Sequence, residues 1–125
     1  MTLIFVDSSV LIDASRDRKP AIRFLTASAE AGPLWSSVLV RSELWVGARP
    51  DEDDRVTDLF DRFRWQDVTV PIADLAGRLG ARYRRTHHIS LADLVLAATA
   101  IELDGTVATL NVRDFPMFPG LLPPY

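Results

Sequence analysis

The chain contains no cysteine. That absence excludes disulfides, thiolate zinc sites and cysteine nucleophiles together, and it is compatible with a reducing cytoplasm. A long apolar run is also missing. The opening stretch Leu3-Ile4-Phe5-Val6 is stopped by Asp7 and has no basic leader, so it does not read as a signal peptide. The most apolar helix expected, Leu91 to Leu103, carries Asp93 and Glu102 and is too short to span a bilayer. These features lead us to expect a soluble, cytoplasmic protein with no membrane association. Excess positive charge is lacking as well: the net charge is −3, whereas phosphate binding normally leaves a basic footprint. Removing four clustered carboxylates from that −3 would leave +1, however, and cations held by such a cluster would attract phosphate. Lysine is nearly absent. Thirteen of the fourteen basic residues are Arg, the side chain suited to forked phosphate contacts, although genomic base composition produces the same bias.

What remains is an ordinary globular composition. With 125 residues, 48% of them apolar and 25% charged, the chain reads as one domain spanning residues 1–125, large enough for a real core. No disordered tail or low-complexity tract stands out.

The first strand, Leu3 to Val6, is continuously apolar, as in the centre of a parallel sheet covered on both faces. It ends in Asp7-Ser8-Ser9, and helical periodicity follows from about Val10. Ligands of open α/β sheets bind at the carboxyl ends of strands, which makes Asp7 either a working group or simply a helix cap. A second helix begins near Pro20, with Ile22, Leu25 and Ala29 on one face, and ends at Gly32-Pro33. Leu34 and Trp35 open a second strand, and Ser36-Ser37 can cap a helix from Val38 to Ala48. In that helix Leu39, Glu43 and Val46 share a face, so Glu43 interrupts what reads as an inward stripe. A carboxylate buried there needs a cation, or the helix must turn it toward solvent.

The acidic run Asp51 to Asp54 reads as a solvated helix start, with Val56, Leu59, Phe60 and Phe63 as the apolar face. A third strand is expected around Asp67 to Val70. The next helix runs from Ile72 to about Arg85, with Leu75, Leu79 and Tyr83 inward and Arg78, Arg82 and Arg85 on another face. That basic face suits either RNA or solvent. His87 and His88 are not read as metal ligands, since adjacent residues do not point the same way. Ser90-Leu91-Ala92-Asp93 has a capping-box signature, which alone would explain Asp93. A strand Thr106 to Thr109 follows the Asp104-Gly105 turn, and Asn111 and Asp114 lie just past its end. The proline-rich terminus, residues 119–124, permits only a very short edge strand. Trp35, Trp45 and Trp65 suit either an interface or the core.

Each carboxylate thus has a dull explanation, but the ordered set Asp7, Glu43, Asp93 and Asp114 is harder to dismiss. With the strand ending in Asp7-Ser8-Ser9, the helical Ser42-Glu43-Leu44, the Asp93 helix running through Leu94 to Ala100, and Thr109-x-Asn111-x-x-Asp114-Phe115, the sequence resembles the PIN-domain nucleases. More closely it resembles the VapC-like toxins of toxin–antitoxin pairs. Ser8 departs mildly from the family, where Thr is frequent.

The resemblance covers nearly the whole chain. It implies an α/β domain with a central, mostly parallel sheet of four or five strands between helical layers. It also implies that Asp7, Glu43 and Asp93 bind Mg²⁺ or Mn²⁺, that Asp114 is a fourth acid, and that Ser9, Thr109 and Asn111 are supporting groups. The implied activity is metal-dependent endonucleolytic hydrolysis of RNA, often tRNA or rRNA, by a homodimer that also binds a small antitoxin. A non-catalytic PIN-like module that binds RNA or protein is the alternative from another class, separable by RNA affinity without cleavage. A phosphatase of haloacid-dehalogenase type would need a second Asp where Ser9 stands. A receiver-like module would be labelled by acetyl phosphate.

Overall fold

The computed structural model describes residues 2–125. Four parallel strands, β1 (Ile4–Val6), β2 (Leu34–Ser37), β3 (Phe63–Gln66) and β4 (Thr106–Ala108), form one sheet in the order β3-β2-β1-β4. Six helices flank it: α1 (Ser8–Ser15), α2 (Lys19–Ala31), α3 (Val38–Gly47), α4 (Asp53–Phe60), α5 (Val70–Tyr83) and α6 (Leu91–Glu102). Short 3-10 turns cover Pro50–Glu52 and Val112–Asp114.

Phe5 and Val6 of β1 are fully buried, the consequence of a central strand covered on both faces. Helix α6 packs against β1, β2 and β4 and against α5. Its uninterrupted buried run Leu94 to Ala100 follows from contact on more than one side. Burial of each large side chain such as Phe5, Leu11 or Leu96 contributes roughly 1.5–3 kcal/mol. The register sets the edge that matters. Phe5 lies level with Trp35 and Val107, so the strands β2, β1 and β4 finish together at Ser37, Asp7 and Thr109.

Several boundaries differ from the sequence reading for local reasons. The third strand is Phe63–Gln66 rather than 67–70, because the Thr69 hydroxyl accepts the Ile72 N–H at 3.3 Å and Pro71 occupies the first turn, so helix begins at Val70. Within α5 the buried positions are Ile72, Ala76 and Leu79, with Leu75 and Tyr83 only half-buried. In α3 the inward residues are Val40 and Leu44, while Val46 is 89% exposed, so Leu39, Glu43 and Val46 face a surface groove rather than the core. Glu52, expected in solvent, is buried: it accepts the Arg49 N–H at 2.8 Å and pairs with Arg16 at 3.6 Å. No fifth strand forms in the proline-rich terminus. Trp45 remains 43% exposed, edge-on to Phe60, whereas Trp35 and Trp65 are half-buried.

The turn into β4 is steric in origin. Asp104 takes a left-handed φ of 57°, tolerated by Asp. A Cβ on Gly105 would lie 2.6 Å from the Leu3 carbonyl oxygen.

Candidate metal centre

Asp7 ends β1 and caps α1, its Oδ1 accepting the Ser8 N–H at 2.8 Å. Capping and site placement are therefore compatible roles for one side chain. The other oxygen, Oδ2, accepts the Ser9 hydroxyl at 3.1 Å and the Thr109 hydroxyl at 2.7 Å. Both hydroxyls are themselves oriented. Ser9 Oγ accepts the Leu110 N–H at 3.1 Å, and Thr109 Oγ1 accepts the Asn111 N–H at 3.0 Å. Each hydroxyl spends its hydrogen on Asp7 and its lone pair on the backbone. The result is an acceptor-only carboxylate fixed in the interior, with Asp7 2% exposed and Thr109 0%.

Glu43 reaches this point from α3. Ser37 starts that helix at the end of β2 by accepting the Leu39 N–H at 3.3 Å, and the buried Ser36 hydroxyl donates to the Val6 carbonyl at 2.6 Å, tying β2 to β1 beside Asp7. Asp93 arrives from the first turn of α6, which Ser90 caps by accepting the Asp93 N–H at 3.2 Å. Carboxylate oxygens of Asp7, Glu43 and Asp93 all lie within 4.8 Å of one another.

Three acids this close oppose one another's ionisation. Burial, the Asp7 charge and, against them, the Ser8 hydroxyl leave the Glu43 carboxyl above its usual range. Asp93 is pushed from 3.8 to about 7, first by burial and then by the charges of Asp7, Glu43 and Asp114. Glu43 Oε1 is buried without a hydrogen-bond partner, a costly state for a carboxylate oxygen. An all-oxygen donor set with one orphaned oxygen fits a hard divalent cation such as Mg²⁺ or Mn²⁺.

Asp114 lies outside the group of three, but close enough for its charge to act on Asp93. Asn111 is exposed and enters the network through its backbone N–H. Ser8, Ser36, Ser37 and Ser90 are the contributors that sequence reasoning left in the background. Only the caps among them had a sequence signal, because their work on the acids depends on contacts across the fold.

The family model of the PIN domain matches residues 4–118. The chain is 44% identical to ribonuclease VapC10 of Mycobacterium tuberculosis, covering 98% of this chain and 93% of that protein. It is 40% identical to ribonuclease VapC19 of the same organism, covering 96% and 98% respectively. Among solved structures, a toxin–antitoxin complex from Klebsiella pneumoniae contains a chain that superposes with a TM-score of 0.78 at 26% identity, covering 99% of this chain and 98% of that one. The chain belongs to the PIN-domain family, in its VapC-like branch.

Proposed function

We propose that the protein is a metal-dependent endoribonuclease that hydrolyses RNA phosphodiester bonds, with Asp7, Glu43 and Asp93 as direct ligands of Mg²⁺, for which Mn²⁺ substitutes. The observation that carries this reading is the convergence of three carboxylates within 4.8 Å, with Glu43 Oε1 buried and unpartnered. The ribonuclease relatives support RNA as the substrate class. When bound, a hard divalent cation would supply Lewis-acid activation of water and neutralisation of charge on the phosphate.

The chain's own residues supply the rest. Ser9 and Thr109 hold Asp7 in one orientation, so little reorganisation is needed at the site. Asp93, held up to about 7 by burial and the neighbouring acids, would be deprotonated as a ligand of that cation. Asp114 acts from further out, through its charge on Asp93, and the Asn111 backbone N–H holds the Thr109 hydroxyl.

As a VapC-like chain, the protein would be the toxin of a toxin–antitoxin pair, acting in the cytoplasm on tRNA or rRNA, as a homodimer restrained by a small antitoxin. The Klebsiella complex supports such a partner. Among the described residues no helix is long and apolar enough to cross a membrane.

The test is cleavage of structured RNA by purified protein with Mg²⁺, with Mn²⁺ and with EDTA, beside Asp7→Asn, followed by sequencing of the new ends. Cleavage confined to the metal-containing reactions and lost in the variant supports the reading. Undiminished cleavage in EDTA refutes the mechanism. RNA affinity without cleavage in either metal leaves a binding module instead.

A further inference from the structure

Residues 75–92 contain four arginines, Arg78, Arg82, Arg84 and Arg85, and no acid, giving +4 in a chain whose net charge is −3. All four are exposed on the second half of α5 and the segment after it. The ion pairs among the described residues lie elsewhere, at Arg16–Glu52, Arg18–Asp13 and Lys19–Asp17. One turn of a helix C-terminus favours a cation or two, but that accounts for only part of the cluster.

Position gives the cluster its meaning. The segment runs straight into Ser90 and the first turn of α6, where Asp93 stands. Leu91 and Ala92 share a groove with Glu43, so the surface continues from that acid along the start of α6. Just upstream, Tyr83, Arg84, His87 and His88 line a cavity of about 260 Å³ between α5 and α6. Arg82 lies over the Tyr83 ring at 5.6 Å, ordered by an aromatic face rather than by a carboxylate.

We infer that this segment is the phosphate-backbone docking surface for the RNA, an assignment that rests on the ribonuclease reading above and adds where the substrate is held. One divalent cation offsets only two of three carboxylate charges, so a polyanion gains from further cations beside the site. An unpaired arginine cluster leading into α6 meets that need. An acidic protein segment would also satisfy the charge, but the run of the segment into Leu91 and Ala92, which share a groove with Glu43, favours the nucleic acid.

The experiment measures binding of a labelled single-stranded RNA oligonucleotide at several salt concentrations, together with KM and kcat for cleavage. The parent is compared with Arg84→Gln/Arg85→Gln and with the control Lys19→Gln/Arg23→Gln, which changes the net charge equally on α2. Melting curves verify that both variants fold. In the segment variant, the slope of log affinity against log salt should shrink by about 1.4, near 0.7 for each phosphate of a single strand that is no longer neutralised. KM should rise several-fold while kcat holds, and the control should stay near the parent. An unchanged slope and KM, or an equal loss in the control, overturns the assignment. In a parallel titration with labelled polyglutamate, loss of its binding in the segment variant with RNA binding intact overturns the assignment in favour of a protein partner. If the parent cleaves no RNA, the ribonuclease reading fails, yet the salt slopes still decide where RNA binds.

Discussion

Thr109 Oγ1 donates to Asp7 Oδ2 at 2.7 Å across 102 residues of sequence. The hydrogen bond exists because β1 and β4 are parallel neighbours in matching register, Val6 opposite Ala108. The next residue on each strand then meets at the carboxyl edge, where the acids gather.

Thr109→Val keeps the shape of the side chain and removes the hydroxyl. Asp7 Oδ2 then loses its shortest partner and the Asn111 N–H loses its acceptor. Divalent-metal affinity should fall about 10- to 100-fold, the usual cost of losing a group that orients a ligand, and Thr109→Ser should restore most of it. Calorimetric Mn²⁺ titration reads both. An affinity equal to the parent in Thr109→Val would show that Asp7 needs no such positioning.

Glu43→Gln and Asp93→Asn should each reduce RNA cleavage to near background, because each removes a carboxylate of the close group. Asp114→Asn should be milder, since this acid lies outside that group and water can stand in for it. Single-turnover rates at saturating Mg²⁺ check the order. Equal losses in the three variants would place Asp114 among the direct ligands.

The pH dependence of stability has a definite sign. Asp93 titrates at about 7 in the folded chain against an ordinary 3.8, so between those values the folded state holds the proton more tightly than the unfolded one. Metal-free stability should therefore be greatest below about pH 4 as far as this group is concerned, and should be lost progressively as pH rises toward about 7. The raised Glu43 acts in the same direction. In EDTA, Asp93→Asn should melt at or above the parent near neutral pH, with the advantage shrinking on acidification, and it should gain less from added Mn²⁺. Scanning calorimetry across pH decides the matter. A variant markedly less stable in EDTA with an unchanged Mn²⁺ response would reduce Asp93 to a residue of the helix start.

Gly105→Ala tests a purely steric constraint remote from the acids. Its Cβ would meet the Leu3 carbonyl oxygen at 2.6 Å and the Phe5 ring at 3.0 Å. Destabilisation of about 1–3 kcal/mol is expected, measurable by urea unfolding, with the Mn²⁺ affinity of the folded protein retained. A neutral result would mean that the β1–β4 start can shift freely.

The sequence by itself determined the local features, because their causes are local. The abrupt end of an apolar strand marks Asp7, and the serines at 37 and 90 start helices through their own neighbours' N–H groups. The run Leu94 to Ala100 could only be a helix buried on several sides. Even the slip at β3 has a local cause, since Thr69 and Pro71 outweigh the strand propensity of Val68 and Val70. Tertiary structure alone decided what the acids do to one another. Periodicity puts Glu43 on a stripe with Leu39 and Val46, but packing of α3 through Val40 and Leu44 makes that stripe a groove beside Asp7 rather than core. Register brings Thr109 to Asp7, and the start of α6 brings Asp93 within 4.8 Å of both other carboxylates while leaving Asp114 outside. Charge repulsion and desolvation act through space over a few ångströms, and those distances are set by helices and strands far apart in the chain.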